Sequence, residues 1–334
     1  MTKRSARRLG FSRLKAWGIP FGLTVLFLTL YFAFRSTSLD DFDSYSFALA
    51  LDHFDLTLQQ PQPPGFTVYV ILGRLLRHFT SSPTTALTSL SVISGVTAVL
   101  LTYAVGRQLV PHHPLAAGLA ALLFGLVPVS WLTSEKALSD MPGLAWTLLA
   151  LWVWHSWRTQ APSTQVLTHR WALPAAAGLV TGIALGVRPQ NALPMALLIA
   201  GLFISDLACR RPLMPWLVAA STSLAATALW LLPTVATVGS IEGYARIVLA
   251  HAAHVGRSDA LLGTTAPIVG ALRSRALAFG DVLLTSLITD GLYPPLERQT
   301  VVRLAMVTAF VIPGVLKADW RRVEIRWLGV WALV

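Results

Sequence analysis

The chain has 334 residues, of which 54% are hydrophobic and only 12% are charged. Soluble domains carry roughly 25% charged residues, so this composition excludes a soluble enzyme, a disordered regulator and a disulfide-stapled secreted domain. The 26 Lys and Arg residues give a net charge of +11, but they occur as short clusters between apolar runs, which is typical of cytoplasmic loops and not of a nucleic-acid-binding surface. We therefore expect an all-α, polytopic membrane protein of roughly 8–10 transmembrane helices, with no nucleic acid among its partners.

The N-terminal segment indicates the orientation of the chain. Residues 1–17 carry six basic side chains and no acid, and an apolar run follows from Gly18 to Phe34. This run is long for the apolar region of a signal peptide, and no A-x-A cleavage site follows it. We expect an uncleaved first span with a cytoplasmic N-terminus, in a multi-pass protein of the bacterial inner (plasma) membrane.

Apolar runs alternate with short polar connections as far as residue 233. The first outer loop covers residues 35–80 and includes the stretch 65–79, which is too short to span a bilayer and is predicted to lie in the interface. Further spans are predicted near residues 84–105, 114–132, 141–157, 171–187, 191–206 and 213–233.

The pattern is weaker after residue 233. Residues 234–292 are predicted to form a later outer segment with an interfacial helix at 276–292, followed by a span at 300–316. This arrangement keeps the last basic group of the chain on the cytoplasmic side. The final apolar run, Trp327 to Val334, is too short to cross about 30 Å of hydrocarbon. We therefore expect residues 1–334 to be a single transmembrane domain that is truncated at its C-terminus.

Carboxylates are scarce, and those in the first 205 residues lie in two groups. Only 15 acids are present, and seven of them precede residue 205. With a cytoplasmic N-terminus, both groups face the outer side of the membrane. Either the outer loops are solvent-exposed and tolerate carboxylates for that reason, or the two loops form one acidic site at the membrane surface. The two groups are Asp40, Asp41, Asp43, Asp52 and Asp55, and Glu135 with Asp140.

Two cations near these acids are candidates for anion binding. Arg188 precedes Pro189, a residue favoured at the first helical position, and a cation beside helix-start amides is a ready anion site. The alternative is an ordinary arginine that snorkels from the end of a span. Lys136 either binds phosphate or pairs with its neighbour Glu135.

Few other residues suggest a site. His251 and His254 are three residues apart and would share one face of a helix, as a metal or substrate site or as interfacial residues without a role. Arg257 follows them as a candidate substrate-binding residue. No P-loop, GxGxxG, HExxH or nucleophile elbow occurs, and the single cysteine, Cys209, excludes an intramolecular disulfide. No metal ligand set is predicted, so the cofactor stays unknown, with a divalent cation as one candidate.

Three segments together resemble a known family. FDSYSFALAL follows the first span, QPQPPGFTVYV comes next, and LSDMPGL follows the third span. Over roughly residues 20–200 this order resembles the GT-C membrane glycosyltransferases of the protein mannosyltransferase and aminoarabinose transferase type (family 39-like). Asp43 matches the Asp of that family's Asp-Glu pair, and Asp140 matches the aspartate of the second loop. Ser44 and Gln62 stand where Glu and His are usual.

The resemblance implies a polytopic enzyme that moves a sugar from a polyprenyl-phosphate donor to an acceptor hydroxyl on the outer face, with inversion. It implies Asp43 as the base and Asp140 as the group that orients the acceptor or a bound cation. The predicted partners are the lipid bilayer, the lipid-linked donor and an acceptor glycan, lipid or protein. The remaining candidate substrate-binding residues are Asp40, Asp41, Glu135, Lys136, Arg188, His254 and Arg257.

A transporter or flippase for a lipid-linked or small solute is the alternative. Such proteins also use intramembrane charges and broken helices. They usually place ionisable residues in mid-span, whereas spans two to six of this chain are almost free of charge. The position of the acids in loops therefore favours the enzyme.

Overall fold

The computed structural model describes residues 3–159 and 169–258. Within these ranges the regular elements are helices, apart from one isolated β-bridge between Asp55 and Gln60. The α-helices in chain order are α1 (Lys3–Ala33), α2 (Phe42–Asp52), α3 (Thr67–Arg77), α4 (Pro83–Leu109), α5 (Pro114–Leu126), α6 (Pro128–Glu135), α7 (Asp140–Thr159), α8 (His169–Val187), α9 (Ala192–Ala208), α10 (Met214–Val238) and α11 (Ile241–Ser258).

The long apolar helices make this an all-α polytopic membrane protein, which confirms the predicted fold class. By length and composition, three helical segments of the described part can cross a membrane: α4, Pro189–Ala208 and α10. The bent pair α5 and α6 makes four if it forms one span, and Trp17–Ala33 and Trp171–Val187 are shorter apolar helices. The larger number of spans expected from the sequence is therefore not reached within these residues.

Several predictions concern the end of the chain. The interfacial helix at 276–292, the span at 300–316 and the final run from Trp327 to Val334 lie outside the described residues. The single domain over residues 1–334 and its truncation stay predictions.

The third predicted span is broken. A straight helix over 114–132 was expected, but α5 and α6 meet at a bend of 62°. Pro128 begins α6, and a residue before proline is forced out of the helical region. Val127 accordingly has an extended backbone, with φ −61° and ψ 131°. The helix then continues to Glu135. The connection to α7 is therefore shorter than the one between the predicted spans 114–132 and 141–157.

Small residues let α8 and α10 approach each other closely. A Cβ added at Gly178 would lie 1.9 Å from the backbone oxygen of Ala219. The indole nitrogen of Trp230 donates a hydrogen bond to the backbone oxygen of Gly182, at 2.9 Å. This contact fixes the C-terminal end of α8, the end that leads into Arg188.

The first outer loop is not irregular throughout. The motif FDSYSFALAL forms α2, the segment 60–66 is non-helical, and α3 follows. A buried core joins these pieces to the loop between α6 and α7 and to the end of α8. It includes Phe47, Phe66, Tyr69, Ala137 and Val187. The two outer loops that carry the acids are therefore parts of one packed unit.

The later outer segment begins with helix as well. An outer segment was predicted from residue 234, but α10 continues to Val238 and α11 follows after a short turn. The turn is made by Gly239, whose φ of +89° suits glycine.

One acid lies at the opposite end of the bundle. The sequence indicates spans that are nearly free of charge, but Asp206 lies near the end of α9 and is buried. Its carboxylate pairs with Arg158 of α7 at 2.7 Å, and both side chains are only 5% exposed. The indole nitrogen of Trp216 donates to the other carboxylate oxygen at 3.2 Å. The acids of the described part therefore do not all lie at the outer end.

Candidate active site

Asp43 lies in the first turn of α2, and its side chain is half-buried. The side-chain amide of Gln62 donates a hydrogen bond to one oxygen of this carboxylate. Gln62 belongs to the proline-rich segment 60–66, in which Pro61 and Pro63 are buried. Because proline restricts both its own backbone and the residue before it, this segment holds the amide in place. The carboxylate of Asp43 is thus oriented by a neutral donor.

An ion pair joins the two outer loops. Lys136 donates to Asp41 over 3.3 Å, and both side chains are partly exposed. The backbone nitrogen of Ser36 also donates to the backbone oxygen of Glu135, at 3.2 Å. The sequence predicted two alternatives for Lys136, which were phosphate binding and an ion pair with Glu135. In the structure its partner is Asp41, from the other acidic group.

Asp140 and Arg188 form the second ion pair at this end. Asp140 begins α7, and its carboxylate lies 3.0 Å from the guanidinium of Arg188. Arg188 also donates to the hydroxyl of Ser139 at 3.0 Å. A Cβ added at Gly143 would lie 2.6 Å from that of Arg188, so the arginine packs closely against α7.

The helix start predicted after Arg188 is present, and anion binding there stays a prediction. Arg188 precedes a 3₁₀ turn, Pro189–Asn191, that leads directly into α9. The guanidinium is already paired with a carboxylate, and both partners keep some exposure, 26% for Arg188 and 39% for Asp140. An anion that reaches Arg188 must therefore compete with Asp140.

The other acids of the outer loops differ in their exposure. Asp40 is exposed and accepts a hydrogen bond from the hydroxyl of Ser38 at 2.6 Å. Asp52 is exposed at the far end of α2. Asp55 accepts hydrogen bonds from the side chain and backbone of Thr57, which lower the pKa of its carboxyl. Glu135 keeps one buried carboxylate oxygen without a hydrogen-bond partner among the described residues.

The beginning of α11 reaches the proline-rich segment. The hydroxyl of Tyr244 donates to the backbone oxygen of Pro64 at 2.9 Å. His254 is exposed on the same helix, roughly 15 Å further along its axis. Arg257 also lies on α11, and its side chain is outside what the structure describes. The first turn of α11 therefore contacts the first outer loop, and a substrate-binding role for His254 and Arg257 stays a prediction.

The described residues do not form a metal ligand set. Among them no three His, Cys, Asp or Glu side chains are close enough to hold a metal ion. Asp43 is engaged by Gln62, and Asp140 is engaged by Arg188. The two carboxylates are therefore already occupied by an amide and a guanidinium, and this arrangement does not fit a divalent cation.

Two further residues belong to this site. Gln62 stood out in the sequence only as a departure from the family pattern, and its contact with Asp43 depends on folding. Tyr69 is fully buried beside Phe47, with ring centroids 4.7 Å apart. Tyr69 lies in an apolar run, and the sequence contains no signal that its hydroxyl is buried near the acids.

Comparison with known proteins assigns no family. No family model matches the chain, and no curated protein matches it. Among solved structures it is similar to an oligosaccharyltransferase from Archaeoglobus fulgidus, crystallised with a tethered acceptor peptide that contains the NVT sequon. The identity is 18% and the TM-score 0.48, over 92% of this chain and 40% of the other. A similarity at this level assigns neither a fold family nor an activity.

Proposed function

We propose that the chain is the catalytic part of a membrane glycosyltransferase, which moves a sugar from a polyprenyl-phosphate donor to an acceptor hydroxyl at the outer membrane surface. One observation carries this proposal. Two partly exposed carboxylates, Asp43 and Asp140, belong to the same packed unit, and the second has the cation Arg188 beside it. This arrangement offers a base and an anion-binding group next to apolar helices.

The leaving group explains why a cation is needed. When the sugar departs from its carrier, the electron pair of the broken bond stays on a phosphate oxygen. Phosphate is stable as an anion, so the reaction needs no general acid, and a nearby cation stabilises the developing charge. We propose Arg188, beside Asp140, as the cation that stabilises this charge, and Lys136 is the second candidate.

The acceptor explains why a carboxylate is needed. The acceptor oxygen attacks the anomeric carbon while its proton passes to a base. Asp43 is suited to this role, because one of its oxygens is fixed by Gln62 and no other hydrogen bond to this carboxylate occurs within the described residues. Attack from the face opposite the phosphate inverts the configuration at that carbon, and no carboxylate nucleophile is required. Asp140 would then orient the acceptor.

A transporter or flippase is the second candidate, and the buried pair of Arg158 and Asp206 favours it. Ionisable residues inside membrane helices often mark a transport pathway. This pair, however, lies away from the outer acids, and the indole of Trp216 donates to the same carboxylate. A role in holding α7, α9 and α10 together accounts for it.

A labelled donor separates the two functions. Membranes containing the protein would be incubated with a radiolabelled polyprenyl-phosphate sugar, alongside membranes without it. The glycosyltransferase predicts label in a new product that separates chromatographically from the donor lipid. Label that crosses the membrane but stays on the original lipid would contradict the enzyme and support the flippase.

A further inference from the structure

Within the described residues, the buried hydroxyl of Tyr69 makes no hydrogen bond. The side chain is 0% exposed, and its oxygen has no hydrogen-bond partner within the part of the chain that the structure describes. Buried hydroxyl groups are nearly always hydrogen-bonded, because burial without a partner is costly. By contrast, the equally buried Tyr31 donates to the backbone oxygen of Gly125 at 2.8 Å.

Tyr69 packs in the same buried core as residues that neighbour Asp140 and Arg188 in the chain. It shares a core with Val187, which directly precedes Arg188, and with Ala137, from the loop before Asp140. Burial and the charge of Asp140 both raise the pKa of the Tyr69 phenol. The hydroxyl therefore stays protonated, and within the described residues it is a donor that is not engaged.

Anion binding at Arg188 creates a need for such a donor. Arg188 now pairs with Asp140 at 3.0 Å. A phosphate that binds the guanidinium draws it from the carboxylate, and a partly buried carboxylate without a partner opposes that exchange. A second hydrogen-bond donor beside Asp140 reduces the free-energy cost of this exchange.

We propose that Tyr69 is a positioning residue for a partner exchange, in which a lipid phosphate takes Arg188 and Asp140 accepts a hydrogen bond from the Tyr69 hydroxyl instead. This inference rests on the proposed function, since the phosphate is that of the lipid-linked donor. The exchange makes no covalent bond. It keeps Asp140 ionised and in place while the phosphate occupies the arginine, and it gives a role to a buried hydroxyl that has no partner among the described residues.

The test compares two tyrosines by stability and by binding. Tyr69→Phe removes a hydroxyl that makes no hydrogen bond to any described residue, so the Tm of the free protein should stay the same or rise. The affinity of the variant for farnesyl phosphate, used as the probe, should fall about tenfold. This is the contribution expected of one hydrogen bond to a charged group. The matched control, Tyr31→Phe, removes a hydroxyl with a partner and should lower the Tm while the affinity stays unchanged.

A second background tests whether Asp140 mediates the effect. In Asp140→Asn the carboxylate is gone, so adding Tyr69→Phe should change the affinity for farnesyl phosphate by less than about twofold. An equal loss of affinity in both backgrounds contradicts the exchange. So does a Tm loss in Tyr69→Phe like that of Tyr31→Phe, or a wild-type protein that does not bind the probe. None of these outcomes depends on sugar transfer, which the labelled donor measures separately.

Discussion

At the scale of single residues, each candidate catalytic carboxylate has a neighbour that orients it. Asp43 accepts from the amide of Gln62, and Asp140 is paired with Arg188. Catalysis by positioned groups depends on such supporting contacts, because small displacements of a base reduce the rate strongly. The residue in contact with Asp43 should therefore matter nearly as much as Asp43 itself.

Replacing Gln62 tests this dependence. Gln62→Ala leaves Asp43 without its donor, and we expect sugar transfer to slow by about tenfold or more. Gln62→His supplies a ring N–H at the same place and should restore part of the rate. The readout is the initial rate of label transfer, normalised to folded protein in the membrane. Gln190→Ala, at an exposed position, should transfer at the wild-type rate, and equal rates for all three variants would contradict a role for Gln62.

The sequence identified the acids but not their partners. Asp43 and Asp140 stood out because carboxylates are rare in this chain and gather in two loops. The pairing of Lys136 with Asp41 and the burial of Tyr69 depend on contacts between segments that are far apart in the chain. Such contacts leave no local pattern of hydrophobicity or charge.

At the scale of helices, apolar runs predicted α4 and the series from α7 to α10 to within a few residues. Hydropathy suffices there, because a helix in lipid must be apolar over its whole length. The bend between α5 and α6 was missed although Pro128 is visible in the sequence. Proline is tolerated inside other helices of this chain, at Pro174 of α8 and Pro233 of α10, so its presence alone did not predict a break.

Close packing of α8 on α10 leads to a stability prediction. Gly178→Ala places a methyl group against the backbone of Ala219, which cannot move aside as a flexible side chain would. We expect a loss of about 1–3 kcal/mol, seen as a lower Tm in detergent. Gly22→Ala is the matched control in α1, where nothing lies within 4 Å of the added carbon. An unchanged Tm for Gly178→Ala would contradict the described packing.

At the scale of the whole molecule, the two groups of charges serve different purposes. The outer group contains partly exposed pairs that a substrate can reach, whereas the pair of Arg158 and Asp206 is almost fully buried. Removing one partner of a buried pair leaves the other charge uncompensated. The inner pair should therefore govern folding, and the outer residues should govern activity.

Asp206→Ala tests this division. The variant removes a buried carboxylate that pairs with Arg158 and accepts from Trp216, and we expect a loss of about 3–5 kcal/mol with a clear drop in Tm. Glu242→Ala is the control, because its pair with Arg246 is exposed on α11 and such pairs contribute little. A stable, folded Asp206→Ala protein that has lost only its activity would contradict a structural role.

The central claim is that Asp43 is the base of a sugar transfer, and α2 offers a control for it. Asp43→Asn and Asp52→Asn make the same change at opposite ends of one helix, at a half-buried and an exposed position. The measurement is label transfer from a polyprenyl-phosphate sugar, at matched amounts of folded protein in the membrane. The account predicts that transfer falls by about 10²–10⁴-fold in Asp43→Asn and is unchanged in Asp52→Asn. Full activity in Asp43→Asn would contradict it.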